Sequence, residues 1–149
     1  MKLTVIIPCY NEENTINELV TKVINNNYSN KEIIIIDDCS KDNSKKIIAK
    51  FEDTNNIKAI YHDKNMGKGS CIKSAIKEAS GEICIIQDAD LEYNPSEFPK
   101  LLKPILDGNA DVVYGSRFKS GDAARVIYFW HRLGNLFLTF FSNMFTNLN

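Results

Sequence analysis

Long apolar runs are missing from this sequence. No stretch of about 18 apolar residues occurs, so no segment reads as a clear bilayer-spanning helix. Positive charge is not in excess either. Eighteen Lys and Arg stand against 19 Asp and Glu, for a net charge of −1. Proteins that bind nucleic acid by neutralising phosphates are usually far more basic, so nucleic acid is not an expected partner. Cysteine is sparse and scattered: Cys9, Cys39, Cys71 and Cys84 form no CxxC pair for zinc or redox work. All four read as reduced thiols in a cytosolic compartment, with Cys9 and Cys84 in or beside apolar runs. The start, Met1-Lys2-Leu3-Thr4, enters a short apolar run that meets Pro8 at once, too short for a signal peptide. No GxGxxG follows that run, which argues against a dinucleotide site. Asn65-Met66-Gly67-Lys68-Gly69-Ser70 lacks the first glycine of a phosphate loop and carries Gly69 after the lysine, so that motif fails too.

What is present is the composition of one folded domain. The chain has 149 residues, 44% hydrophobic and 25% charged. Short apolar strands alternate with amphipathic helices. Strands are expected over residues 3–8, 33–36, 57–61, 82–87 and 111–114. Helices are expected over 13–26, 42–51 with Asp42 as N-cap, 68–80 ended by Gly81, 96–106 followed by Gly108, and from Ala123 onward. The run Ile33-Ile34-Ile35-Ile36 is apolar on both faces, as in a parallel sheet covered by helices. The order implies an α/β fold with a mostly parallel sheet. Such folds bind ligands beyond the carboxyl ends of their strands.

Five clusters lie there. Asp88-Ala89-Asp90 follows a strongly apolar strand. Alternate residues of an extended chain point the same way, so both carboxylates can face one Mg²⁺ or Mn²⁺, with Glu92 as a third ligand. The other reading is a solvated turn in which Asp90 caps a helix. Asp37-Asp38 ends the second strand and suits either a base or ribose contact or a turn and helix cap. In Pro8-Cys9-Tyr10-Asn11-Glu12-Glu13, Tyr10 can cover a flat base and Glu12 can hydrogen-bond it. Taken alone, an acid-rich helix N-terminus explains this cluster better. His62-Asp63-Lys64-Asn65 follows the third strand, and Lys68 beyond it suits either a diphosphate or solvent. Arg117, after Gly115-Ser116, can hold a phosphate bidentately or pair with an acid. Residues 125–149 combine Arg125, His131 and Arg132 with dense Phe, Leu, Tyr and Trp. That mixture suits a helix lying at a membrane interface, or a core or dimer helix.

The ordered set VIIPCYNEE, IIIIDDCSKDNS, NMGKGSCIKSAIKEASGE, IIQDADLEYNP and VVYGSR resembles the family-2 glycosyltransferases of the GT-A fold. The likeness is strongest to the polyprenyl-phosphate branch, the dolichyl-phosphate mannosyl- and glucosyltransferase-like proteins. It covers residues 3 to about 118. The resemblance implies a Rossmann-like three-layer sandwich with a nucleotide-sugar core over 1–121 and an acceptor or membrane-interface helix starting at 122–149. It implies that Pro8, Tyr10, Glu12, Ile36, Asp38 and Lys68 hold the nucleotide. It places Asp88 and Asp90 in the metal-binding DxD motif, with Ala89 against the donor and Glu92 where relatives often carry Gln. Arg117 matches an arginine near the donor diphosphate. His131, Arg132 or Asn135 stands where relatives hold the acceptor phosphate. The implied reaction is inverting, metal-dependent transfer of a hexose from GDP-mannose or UDP-glucose to a polyprenyl phosphate, with Asp90 and Arg117 central. The implied place is the cytoplasmic face of the membrane, peripherally bound.

Competing readings are a glycan acceptor, nucleotide-sugar binding without turnover, a nucleotidyltransferase or a phosphoacceptor receiver domain. A nucleotidyltransferase needs a glycine- and arginine-rich signature after the first strand, where Pro8-Cys9-Tyr10 stands. A receiver domain needs an acidic pair there. Relatives continue past the point where this chain stops, so a nearly complete donor site and only the start of an acceptor site are expected.

Overall fold

The computed structural model describes residues 1–52, 54, 56–115 and 129–146, the side chains of residues 131, 132 and 146 excepted. The chain divides into two units between Asp111 and Val112. In the first unit the elements run β1 (Leu3–Cys9), α1 (Ile16–Ile24), β2 (Lys31–Asp37), α2 (Ser44–Ala49), β3 (Ile57–Tyr61), α3 (Lys68–Glu78), β4 (Ile83–Ile86) and, after a 3-10 turn, α4 (Phe98–Leu106). In the second, α5 spans Phe129–Thr146.

The four strands are parallel, in the order β3-β2-β1-β4. The period-two alternation of β1 and β2 divides their side chains between two apolar layers. Val5, Ile7, Ile33 and Ile35 pack with Leu19, Val20 and Val23 of α1, Ile48 of α2, and Phe98 and Leu102 of α4. Ile6, Ile34 and Ile36 pack with Cys71 and Ala75 of α3. Both faces are covered, which is why these strands are apolar throughout. The result is the expected three-layer α/β sandwich, with α3 on one side and α1, α2 and α4 on the other.

The expected fifth strand is not formed. Residues 111–114 are described but carry no sheet pairing, and Val112 and Tyr114 are 65% and 89% exposed. Four residues with strand propensity make a strand only when a neighbour takes their backbone hydrogen bonds and one face is buried. Gly108 behaves as expected: its φ of +71° and its N–H bond to the Ile105 carbonyl follow the end of α4. Gly81 does different work from the helix stop expected of it. Helix α3 already ends at Glu78, and a Cβ at Gly81 would stand 2.5 Å from Thr4 Oγ1 and 2.7 Å from the Thr4 nitrogen. It is glycine because the chain passes there directly against β1.

Beneath it, at the amino ends of the strands, Glu32 gathers hydrogen bonds from Lys2 Nζ, Thr4 Oγ1, Ser80 and the Gly81 N–H. Burial pushes its carboxyl up, but these donors outweigh it and hold the group down at about 2.

Candidate active site

The carboxyl ends of β1, β2 and β4 open on one cavity of about 200 Å³, lined by Pro8, Cys9, Tyr10, Glu12, Asp38, Lys68, Cys71, Asp88, Ala89 and Asp90. Three of the five clusters beyond the strands therefore meet at one place, joined by the start of α3. The loops that carry them are held by hydrogen bonds between chain segments about 30 residues apart. After β1 the chain turns through Asn11 at φ +57°, and after β2 through Cys39 at φ +62°. The two turns then lace together. The N–H groups of Asn11, Glu12 and Glu13 donate to Ser40 Oγ, Ser44 Oγ and Asp42 Oδ2 at 3.0, 2.8 and 3.0 Å. In return, the N–H groups of Lys41 and Asn43 donate to Asn11 Oδ1 and Glu13 Oε2 at 2.7 and 2.9 Å. Asp42 also accepts the Ser44 N–H at 2.9 Å while holding the first loop. The N-cap of α2 is Asn43, one residue beyond the Asp42 expected, because the helix starts at Ser44. These reciprocal bonds fix where Tyr10 and Glu12 stand. In the sequence Asp42 reads only as a helix cap.

Asp38 binds the next loop. Its side chain is almost wholly buried, and its oxygens accept the N–H groups of Met66 (3.0 and 3.1 Å) and Gly67 (2.7 Å). Oδ1 also lies 2.7 Å from His62 Nδ1, and His62 Nε2 lies 3.0 Å from Ser74 Oγ. A carboxylate only accepts, so Nδ1 carries a proton, while Nε2 pairs with the serine hydroxyl. Burial pushes the Asp38 carboxyl up, but the His62, Met66 and Gly67 bonds outweigh it and hold the group below the ordinary range. Both oxygens that sequence reasoning offers to a base or ribose are thus already engaged by protein donors. His62 and Ser74 have no signal in the sequence beyond the position of His62 after β3.

Asp38, His62 and Cys71 bring three potential ligand atoms within 4.8 Å of one another. Their spacing is that of hydrogen bonding, however. The edge of a tetrahedral site with bonds of about 2.0 Å is about 3.3 Å, longer than the 2.7 Å between Asp38 and His62. Burial and the Asp38 charge also push the Cys71 thiol up to about 11. Cys9 is pushed up to about 12, chiefly by burial. Neither thiol is a nucleophile near neutral pH.

The acidic cluster after β4 is a turn rather than the extended segment expected. Residues 89–90 form the turn and Leu91 has φ +63°. Asp88 and Asp90 nevertheless both line the cavity, with Ala89 buried between them. Asp90 Oδ1 accepts the Glu92 N–H at 3.0 Å. The Lys68 ammonium sits 2.5 Å from Asp88 Oδ1. A cationic group thus already stands on one of the two carboxylates, and all the donors are hard oxygens, so this pair fits Mg²⁺ or Mn²⁺. Glu92 is exposed and is not among the lining residues. Ile36 is fully buried under α3, behind the cavity.

Arg117 lies outside the described residues, as does the boundary expected at 121/122. Residues 131 and 132 are helical, and Asn135 is exposed on α5. Large apolar side chains of α5, among them Phe129, Trp130, Leu136, Phe137, Phe140 and Phe145, are exposed. Among the described residues no helix is long and apolar enough to cross a membrane.

A glycosyl transferase family 2 model matches residues 4–147. The chain is 34% identical over 134 residues to a dolichol-phosphate mannosyltransferase of Pyrococcus furiosus, covering 89% of this chain and 38% of that protein. It is similar to S. aureus TarS (residues 1–349) in complex with UDP, with a TM-score of 0.65, 28% identity, and coverage of 80% and 40% of the two chains. It is also similar to the mannosyltransferase PcManGT from Pyrobaculum calidifontis in complex with GDP-Man and Mn²⁺. There the TM-score is 0.56, the identity 28%, and the coverage 60% and 27%. The chain thus spans about two-fifths of the length of the Pyrococcus relative. With the sheet, the acidic turn and these matches together, the chain belongs to glycosyl transferase family 2 and has the GT-A fold.

Proposed function

We propose that the cavity binds a nucleoside diphosphate sugar with Mg²⁺ or Mn²⁺, for inverting transfer of the hexose to a polyprenyl phosphate. The observation that carries this reading is the convergence of Tyr10 and Glu12, Asp38, Lys68, and Asp88 with Asp90 on one cavity. It matches a ligand with a flat base at one end and a charged diphosphate at the other. Pro8 and the half-exposed Tyr10 lie on the base side, where Glu12 hydrogen-bonds the base. Asp38 sets the backbone at 66–67 beneath the nucleotide, and Ile36 supports that strand end from within.

Asp88 and Asp90 hold the cation, Glu92 being the further candidate ligand, and Ala89 lies against the donor. A divalent cation held there would supply Lewis-acid neutralisation of the charge on a departing diphosphate. Arg117 and Lys68 add positive charge where that negative charge develops. A lipid phosphate is already ionised near neutral pH, so the nucleophile needs no general base and no covalent enzyme intermediate forms. In-line attack then inverts the anomeric centre, and the protein's task is positioning. The acceptor phosphate is assigned to His131, Arg132 or Asn135 of α5. The exposed aromatic side of that helix suits an interfacial position and supports a reaction at the cytoplasmic membrane surface. The test is a thermal-shift panel of UDP and GDP sugars with and without Mn²⁺. Stabilisation by one base family that needs the metal supports the reading. No shift with any of them refutes it.

A further inference from the structure

The loops around the cavity are tied in series. The first and second are laced by reciprocal hydrogen bonds, the second holds the third through Asp38, and the third meets the fourth through Lys68 and Asp88. The first link mixes half-buried and exposed bonds, and the second rests on the buried Asp38 carboxylate. The last is an ion pair with 55% of the Lys68 side chain and 26% of Asp88 exposed. Its anchorage is nonetheless defined. Lys68 is the first residue of α3, and it follows Gly67, whose φ of +82° and N–H bond to Asp38 aim the chain toward Asp88.

We propose that Lys68 is the resident counter-cation of Asp88. In this role it stands where the metal binds, and on loading it moves its ammonium from that carboxylate to the donor diphosphate. The inference rests on the proposed metal and nucleotide site and adds a task for one residue within it. Two aspartates lining one cavity favour a cation beside them, and Lys68 supplies one to Asp88. An exposed pair is weak, so a divalent ion displaces it readily. The freed ammonium would then be available to a diphosphate in the same cavity, because Lys68, Asp88 and Asp90 all line it.

The two tasks have opposite signs, which separates this role from simple support of the loop. Without nucleotide, Lys68 competes with the metal. With nucleotide, it adds to binding. In isothermal titration of the 149-residue chain, Lys68→Gln is expected to bind Mn²⁺ alone about two- to fivefold more tightly than the wild type. The same variant is expected to bind UDP or GDP in the presence of Mn²⁺ about tenfold or more weakly. In the background of Asp88→Asn, Lys68→Gln is expected to lose its tightening of Mn²⁺ binding, since the pair is already gone. Unchanged or weaker Mn²⁺ binding by Lys68→Gln, with a wild type that binds both ligands, overturns the counter-cation role and leaves the site standing. A wild type that binds neither Mn²⁺ nor nucleotide overturns the site and this role together.

Discussion

His62 Nδ1 donates a 2.7 Å hydrogen bond to Asp38 Oδ1, tying the residue after β3 to the residue after β2. Asp38 in turn accepts the backbone of Met66 and Gly67, just before α3. One buried carboxylate thus sets the geometry of the loop that delivers Lys68 to the cavity.

Asp38→Ala is therefore expected to cost stability as well as ligand binding. It leaves two backbone N–H groups and one imidazole N–H without their acceptor, a loss of about 2–4 kcal/mol. Chemical denaturation measures it. The Asp38 carboxyl is depressed in the folded state, so its contribution is present above the ordinary carboxylate range and is lost as pH falls below it. The variant should differ least from the wild type in acid.

Glu32 is a second acid-sensitive group, far from the cavity. Its folded value of about 2 against the ordinary 4.5 means that its stabilisation is complete above about 4.5 and disappears as pH falls through about 2. The shift corresponds to about 3 kcal/mol. Glu32→Gln should unfold more easily at pH 7 and show a flatter stability profile between pH 5 and 2. Equal acid limbs in both proteins would show that Glu32 is not the linked group.

Gly81→Ala is expected to destabilise the protein by about 1–3 kcal/mol, because the new Cβ meets the Thr4 nitrogen and the Lys2 carbonyl oxygen at 2.7 and 2.9 Å. Backbone atoms cannot swing aside as a side chain does. A thermal melt equal to the wild type would show that β1 and the 80–81 segment adjust freely.

Much of this fold is legible in the sequence. Ile33 to Ile36 read as a doubly covered strand because apolar residues on both faces leave no solvent side, and Ile16, Leu19, Val20 and Val23 read as a helix face by their spacing. Residues 111–114 read as a strand for the same reason and form none, because pairing depends on a neighbour that local pattern does not reveal. The cavity residues Tyr10, Glu12, Asp38, Asp88 and Asp90 follow from the rule that ligands bind at strand ends. The work of Ser40, Asp42 and Ser44 does not, since their partners are backbone N–H groups about 30 residues away. Nor does the use of both Asp38 oxygens within the protein: spacing locates a carboxylate but not the donors that reach it.

The central claim is that Asp88 and Asp90 form a cation site that recruits the diphosphate. Titration of UDP and GDP into the wild type and Asp90→Ala, each with and without Mn²⁺, tests it most directly. The wild type should bind one nucleotide with a strong dependence on Mn²⁺, and Asp90→Ala should lose that dependence while its thermal melt shows an intact fold. Equal Mn²⁺-dependent binding by the two proteins would contradict the assignment.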